Sequence, residues 1–153
     1  MVSTPSLSDL EMDAWRGFLE AHRRVMDVLE DELRADQDLP LAWYDVMVTL
    51  SEAPERTRRM QDLADAVLLS KSGLTRLVDR MERAGMVARE ACEGDRRGIN
   101  CRLTRAGMDR LVQAAPTHVT GVREHFLDLL EPGEAAVLAR ALGRIAERAC
   151  EDV

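Results

Sequence analysis

Apolar side chains recur along residues 10–35 at three- to four-residue steps: Leu10, Ala14, Phe18, Val25, Leu29 and Leu33. Ala21 and His22 bridge the one longer gap, so the stretch predicts a single long amphipathic helix. It should stop at Leu39-Pro40, because the residue before a proline avoids helical geometry. A second helix is expected from Leu41 to Glu52, with Trp43, Val46, Met47 and Leu50 on one stripe and Ala53-Pro54 closing it. Residues 60–68 predict a short helix that turns Met60, Leu63, Ala64 and Val67 inward, followed by a turn at Leu69-Ser70. Residues 71–84 predict the cleanest amphipathic helix of the chain. Leu74, Leu77, Val78 and Met81 share one arc, and Lys71, Ser72, Thr75, Arg76, Asp79 and Arg80 fill the opposite one. Gly85 stands where a left-handed residue would end that helix.

Beyond it the period changes. Met86–Cys92 and Ile99–Leu103 read as two short strands joined by the polar loop at 93–98, a hairpin signal. Thr104 is placed to cap a helix over 105–130, within which Pro116 should introduce a kink or a break. Glu131-Pro132-Gly133-Glu134 predicts the next interruption, with Pro132 in the first turn of a last helix running to Ala149. The expected fold class is mainly α with one small hairpin.

Composition agrees with this. The 153 residues include 20 Leu and 19 Ala but 2 Ile, and aromatics are 3%, so helix formers dominate. No apolar stretch approaches the ~20 residues of a membrane span, and no basic start precedes an apolar segment at the N-terminus. Three scattered cysteines form neither a disulfide framework nor a zinc spacing, and a soluble cytoplasmic protein is expected. Charge is uneven. Residues 1–53 hold 4 basic against 12 acidic side chains, residues 54–110 hold 13 against 9, and residues 111–153 hold 4 against 7. The whole chain, at −7, would repel a polyanion, yet its middle third is locally basic. Because salt screens charges beyond ~10 Å, it is the local charge that meets a phosphate.

A short helix, a tight turn and a helix with a basic-polar outer arc make a helix-turn-helix unit. Hydroxyls at Ser70, Ser72 and Thr75 suit base edges or phosphates, and the guanidinium of Arg76 can fork onto guanine. The hairpin tip carries Asp95, Arg96 and Arg97, and arginine is favoured in a narrow minor groove, where negative potential is strongest. Each residue has an ordinary alternative. Ser70 can simply cap its helix, Lys71 and Arg76 can be solvated surface charges, and Arg80 and Arg83 can pair with Asp79 or Glu82. Asp95 suits orientation of a neighbouring arginine better than metal binding.

The run Leu63-Ala64, Ser70 through Val87, Asp95-Arg96-Arg97, Leu103-Thr104 and Gly107 resembles the MarR family of winged-helix transcriptional regulators. The similarity covers about residues 10–150, and its most specific part is the D-x-R wing followed by L-T-x-x-G. It implies one unit over 1–153, in which a winged helix-turn-helix domain at 40–104 is flanked by dimerisation helices at 10–35 and 105–150. The apolar stripes of those flanking helices also look too long for one copy to bury alone. The implied partners are a second copy of the chain and double-stranded DNA carrying a pseudo-palindromic operator. Two recognition helices would then stand about one DNA turn, ~34 Å, apart. Carried over by position, Ser70, Lys71, Ser72, Thr75 and Arg76 would face the major groove and Arg97, with Arg96, the minor groove.

The resemblance further implies release of DNA by a small phenolic or anionic ligand. Trp15, Phe18, His22, Trp43, Tyr44 and Met47, in the first two helices, are the candidate effector residues, and packing between those helices is the plainer reading. A redox alternative would pair Cys92 with Cys101 across the hairpin. His22, His118 and His125 show no tight zinc spacing. Neither a metal nor a cofactor is expected. There is no G-x-S-x-G, H-E-x-x-H, P-loop or dinucleotide turn, so an enzyme is not expected. A helical interaction module without DNA binding would suit the acidic ends but would leave the basic wing unexplained.

Overall fold

The computed structural model describes residues 6–67, 69–92 and 94–151; the side chains of 95–97, 150 and 151 lie outside that description. The element order is α1 (Asp9–Gln37), α2 (Leu41–Ser51), β1 (Thr57–Arg59), α3 (Met60–Ala66), α4 (Lys71–Arg83), β2 (Val87–Cys92), β3 (Asp95–Leu103), α5 (Arg105–His125) and α6 (Glu134–Glu151). The chain divides into two compact units. One is the segment up to Leu29 together with Val119 onward, and the other is Glu30–His118.

The Glu30–His118 unit holds most of the enclosed core. Leu33, Val46, Met47, Leu50, Leu63, Ala64, Leu74, Val78, Met81 and Cys101 are essentially inaccessible. Burial of each larger apolar side chain stabilises by ~1.5–3 kcal/mol. All four residues of the apolar arc of α4 are buried, and Leu63 and Ala64 meet that core from α3. The helix ends as its sequence predicts. Gly85 adopts φ +78°, its N–H donates to the Glu82 carbonyl, and the Met86 N–H donates to Met81, both at 2.9 Å. At the other boundary of this unit, the Leu41 N–H at the start of α2 donates to Glu30 Oε2 at 2.6 Å. The Arg110 guanidinium donates to the carbonyl of Gln37, the last residue of α1.

The sheet is antiparallel with order β1-β3-β2. Strand β1 is an addition to the expected hairpin. It follows a 3-10 turn at Pro54–Arg56 in which Glu55 and Arg56 sit at φ +52° and +57°. Strand β3 starts at Asp95, four residues earlier than the apolar pattern suggested, so the hairpin loop is shorter. The register argues against the alternative in which Cys92 and Cys101 pair. Cys101 is opposite Arg89, and Cys92 is opposite Asp95 beyond an irregularity after Ala91. At ~3.3 Å per residue the two cysteines are displaced by roughly 10 Å along the ladder, beyond the reach of a disulfide. Both are free and buried, and the Cys92 thiol donates to Asn100 Oδ1 at 3.0 Å.

Burial, with a smaller contribution from the nearby Glu82 carboxylate, pushes the Cys101 thiol up to about 12. Only the thiolate attacks alkylating agents. Iodoacetamide at pH 8 should therefore leave Cys101 unmodified in the native protein and label it once guanidinium is added, as read by peptide mass spectrometry.

Pro116 lies inside a helix that runs unbroken from Arg105 to His125, so the expected interruption does not occur there. A proline removes one N–H donor and crowds one preceding carbonyl, a local cost that buried positions such as Leu111 and Ala114 on the preceding turns offset. The helix stops instead at His125, short of the expected residue 130, and a 3-10 turn follows at Leu127–Leu129. Pro132 sits in the turn before α6, whose first residue is Glu134.

Candidate nucleic-acid interface

The candidate interface is the polar arc of α4 and the strands that follow. The Ser70 hydroxyl oxygen accepts the Gly73 N–H at 3.1 Å, so Ser70 is the N-cap of α4. The Ser70 and Ser72 hydroxyls also lie 3.4 Å apart, and either can donate to the other. The Thr75 hydroxyl donates back to the Lys71 carbonyl at 2.8 Å. Lys71, Ser72, Thr75, Arg76 and Arg80 are all exposed.

The acidic side chains of α4 are held by β2 rather than by their own helix. Arg89 donates from Nη1 to Asp79 at 2.6 Å and from Nη2 to Glu82 at 2.7 Å. Its Nε adds a bond to Glu82 at 2.9 Å, and its backbone N–H reaches Glu82 Oε1 at 2.8 Å. The side-chain bonds from Arg89 are the main reason that the Glu82 carboxyl lies below its ordinary range, and the backbone bond adds to them. The clamp is therefore present above the ordinary carboxylate pKa and is lost as pH falls through the lowered value. With both carboxylates engaged by Arg89, Arg76, Arg80 and Arg83 make no ion pair among the described residues. The local pairing of Arg80 or Arg83 with Asp79 or Glu82, open in the sequence, is thus not what forms. Asp95, Arg96 and Arg97 open β3 at the tip of the hairpin, and their side chains lie outside the described residues.

One residue joins this region to the start of α5. The Thr104 Oγ1 lies 2.6 Å from the Gly85 carbonyl and 2.9 Å from that of Met86, and it accepts the Gly107 N–H at 3.0 Å. The Thr104 N–H donates to the Met86 carbonyl at 3.1 Å. Gly107 is needed because a Cβ there would meet the Met86 oxygen at 2.1 Å. The L-T-x-x-G signature is the seam that attaches α5 to the turn after α4.

Residues 37–98 match the MarR family. The chain is 31% identical over 131 residues to the HTH-type transcriptional regulator PecS of Dickeya dadantii, covering 84% of this chain and 78% of that protein. The chain belongs to the MarR family. It is also 29% identical to the HTH-type transcriptional repressor YetL of Bacillus subtilis, over 90% of this chain and 81% of that one. The crystal structure of AbsC, a MarR family transcriptional regulator from Streptomyces coelicolor, superposes with a TM-score of 0.88. It is 42% identical, with 97% of this chain and 99% of that one covered. A second MarR family regulator from that organism, solved in complex with DNA, has a TM-score of 0.88 and 35% identity over 94% of this chain and 91% of its own. The protein is thus a MarR-type winged-helix transcriptional regulator.

In this MarR protein the six candidate effector residues fall into two groups. Trp15, Phe18 and His22 form a ladder along α1 with ring centroids 6.1 and 6.4 Å apart, and Trp15 is 53% exposed. Trp43, Tyr44 and Met47 lie on α2, in the other unit, with Trp43 half-buried, Tyr44 buried and Met47 wholly enclosed. Tyr44 stacks on His118 with centroids 4.3 Å apart, a pairing the sequence did not suggest because 74 residues separate the two. Burial pushes the His118 imidazole below its ordinary pKa, and its enclosed Nδ1 has no hydrogen-bond partner among the described residues. No helix among the described residues is long and apolar enough to cross a membrane.

Proposed function

We propose that this regulator is a repressor that binds a pseudo-palindromic operator as a homodimer and leaves it when a small phenolic or anionic effector binds. The observation that carries the DNA reading is the exposed arc of α4, where Lys71, Arg76 and Arg80 stand clear while Arg89 engages both carboxylates of the helix. In this reading Ser70, Lys71, Ser72, Thr75 and Arg76 address the major groove, and Arg80 addresses the adjoining phosphates. Arg97, with Arg96, enters the minor groove, and Asp95 orients them. Repression agrees with the name of the Bacillus relative, and DNA binding with the second Streptomyces regulator, solved on DNA.

Support for the homodimer comes from apolar side chains left in water. Leu10 is 79% exposed on α1, Leu129 73% after α5, and Ile145 62% on α6. Apolar side chains this exposed at both ends of the chain suit coverage by a second copy. A two-fold dimer would set two α4 helices about 34 Å apart, one turn of duplex. For the effector, the exposed Trp15–Phe18–His22 ladder offers aromatic faces with one polar handle, and Trp43, Tyr44 and Met47 are the α2 candidates.

The test is selection from random duplexes by the purified protein, followed by a salt titration of the winner. The expected result is one inverted repeat, with log Kd rising steeply and linearly with log salt. Recovery of unrelated sequences, or affinity indifferent to salt, would overturn the reading.

A further inference from the structure

A shallow groove of about 480 Å³ runs along the outer arc of α4, lined by Gly73, Arg76, Asp79, Arg80 and Arg83. The three arginines are exposed, and Asp79 is the one acid among these residues. Helical spacing puts Asp79 three residues after Arg76 and four before Arg83, so its carboxylate is within reach of both. Among the described residues it pairs with neither. Its Oδ1 sits instead 2.6 Å from Nη1 of Arg89, on β2. Glu82 holds Arg89 in the posture that makes this possible. It accepts from the Arg89 backbone N–H, Nε and Nη2 at 2.8, 2.9 and 2.7 Å, which leaves Nη1 for Asp79. Glu82 has no arginine three or four residues away along α4, so the acid that competes for the groove is Asp79.

The geometry points to Arg89 as a positioning residue for DNA binding: it draws Asp79 toward β2 and so keeps Arg76 and Arg83 free for the duplex. Arg89 need not touch DNA to do this. Without it, the Asp79 carboxylate turns to the nearest arginine of its own helix, and a phosphate must then displace that carboxylate. An exposed ion pair of this kind adds little to stability. Each cation it engages is nevertheless one fewer for the phosphates, whose neutralisation drives binding. This assignment rests on the DNA-binding reading above and adds Arg83 to its contact surface. The same clamp ties α4 to β2, the first strand of the hairpin, where Arg89 stands opposite Cys101.

A double-mutant cycle on operator affinity separates this role from a purely structural one. The full chain is compared with Arg89→Ala, Asp79→Asn and the two combined, on the selected duplex over a range of salt and well below each melting temperature. Arg89→Ala is expected to weaken binding roughly tenfold and to reduce the salt slope by about 2, near 0.9 for each half-site of a dimer. Adding Asp79→Asn to Arg89→Ala should restore most of the affinity and the slope, and Asp79→Asn should raise affinity less in the wild-type background. A merely structural Arg89 would lower the melting temperature and leave the affinity and slope of the folded protein untouched, which overturns the assignment. Failure of Asp79→Asn to rescue overturns it too, because Arg89 would then meet phosphate itself. If Arg89→Ala does not fold, Arg89→Lys enters the same cycle, since an ammonium cannot fork onto two carboxylates. A wild-type protein without salt-dependent binding overturns the DNA reading, and the role of Arg89 with it.

Discussion

Arg76→Ala is expected to weaken binding to the selected operator at least about 30-fold, with the melting temperature unchanged. Arg76 is exposed on the outer arc of α4 and makes no ion pair among the described residues. Removing it therefore takes nothing from the fold. In the proposed complex its guanidinium forks onto a guanine, a contact worth ~1–3 kcal/mol of discrimination, and a homodimer has two of them. The loss should be confined to the selected sequence. Titration of wild type and variant against the operator and against duplexes changed at one base pair per half-site checks this. The variant should become indifferent to one base pair while keeping its preference at the others. Equal loss on every duplex would show that Arg76 contacts phosphate rather than a base.

Gly107→Ala is expected to be the most damaging of the conservative substitutions at a glycine. The added Cβ would stand 2.1 Å from the Met86 oxygen, 3.0 Å from its carbonyl carbon and 2.7 Å from Leu103 Cδ1. Two of these neighbours are backbone, and the same carbonyl accepts from Thr104. Relief requires moving α5 off the turn after α4, which breaks the Thr104 bonds. A cost of about 3 kcal/mol is reasonable for such overpacking, equivalent to a fall of roughly 6–12 °C in melting temperature for a chain of this size. Gly143→Ala is the control. It lies within α6 with nothing within 4 Å of the added carbon, and helix propensity favours alanine by up to ~1 kcal/mol. Thermal melts of the two variants should move in opposite directions. A Gly107→Ala protein that melts with wild type would show that the seam is looser than its distances imply.

The helices were legible because each buries one face, and a buried face leaves a 3.6-residue period in the sequence. The α4 arc of Leu74, Leu77, Val78 and Met81 is the clearest instance. Thr104 and Gly107 were legible as a signature, and Thr104 also as a cap; the carbonyl that Gly107 must clear is 21 residues upstream and leaves no local trace. Strand β1 was not legible: Thr57-Arg58-Arg59 is too short to show alternation, and its reason for being extended is β3, more than 40 residues later. The partner of Asp79 and Glu82 was left open by the sequence for a related reason. Helical spacing nominates Arg80 and Arg83, whereas the partner comes from β2. The cysteines failed as a pair on register alone, because a hairpin loop of uncertain length leaves the facing residues undetermined.

The hydroxyl of Thr104 touches the turn that ends α4 and the first turn of α5 together. Loss of that one hydroxyl would therefore loosen the end of α4 and the start of α5 at once.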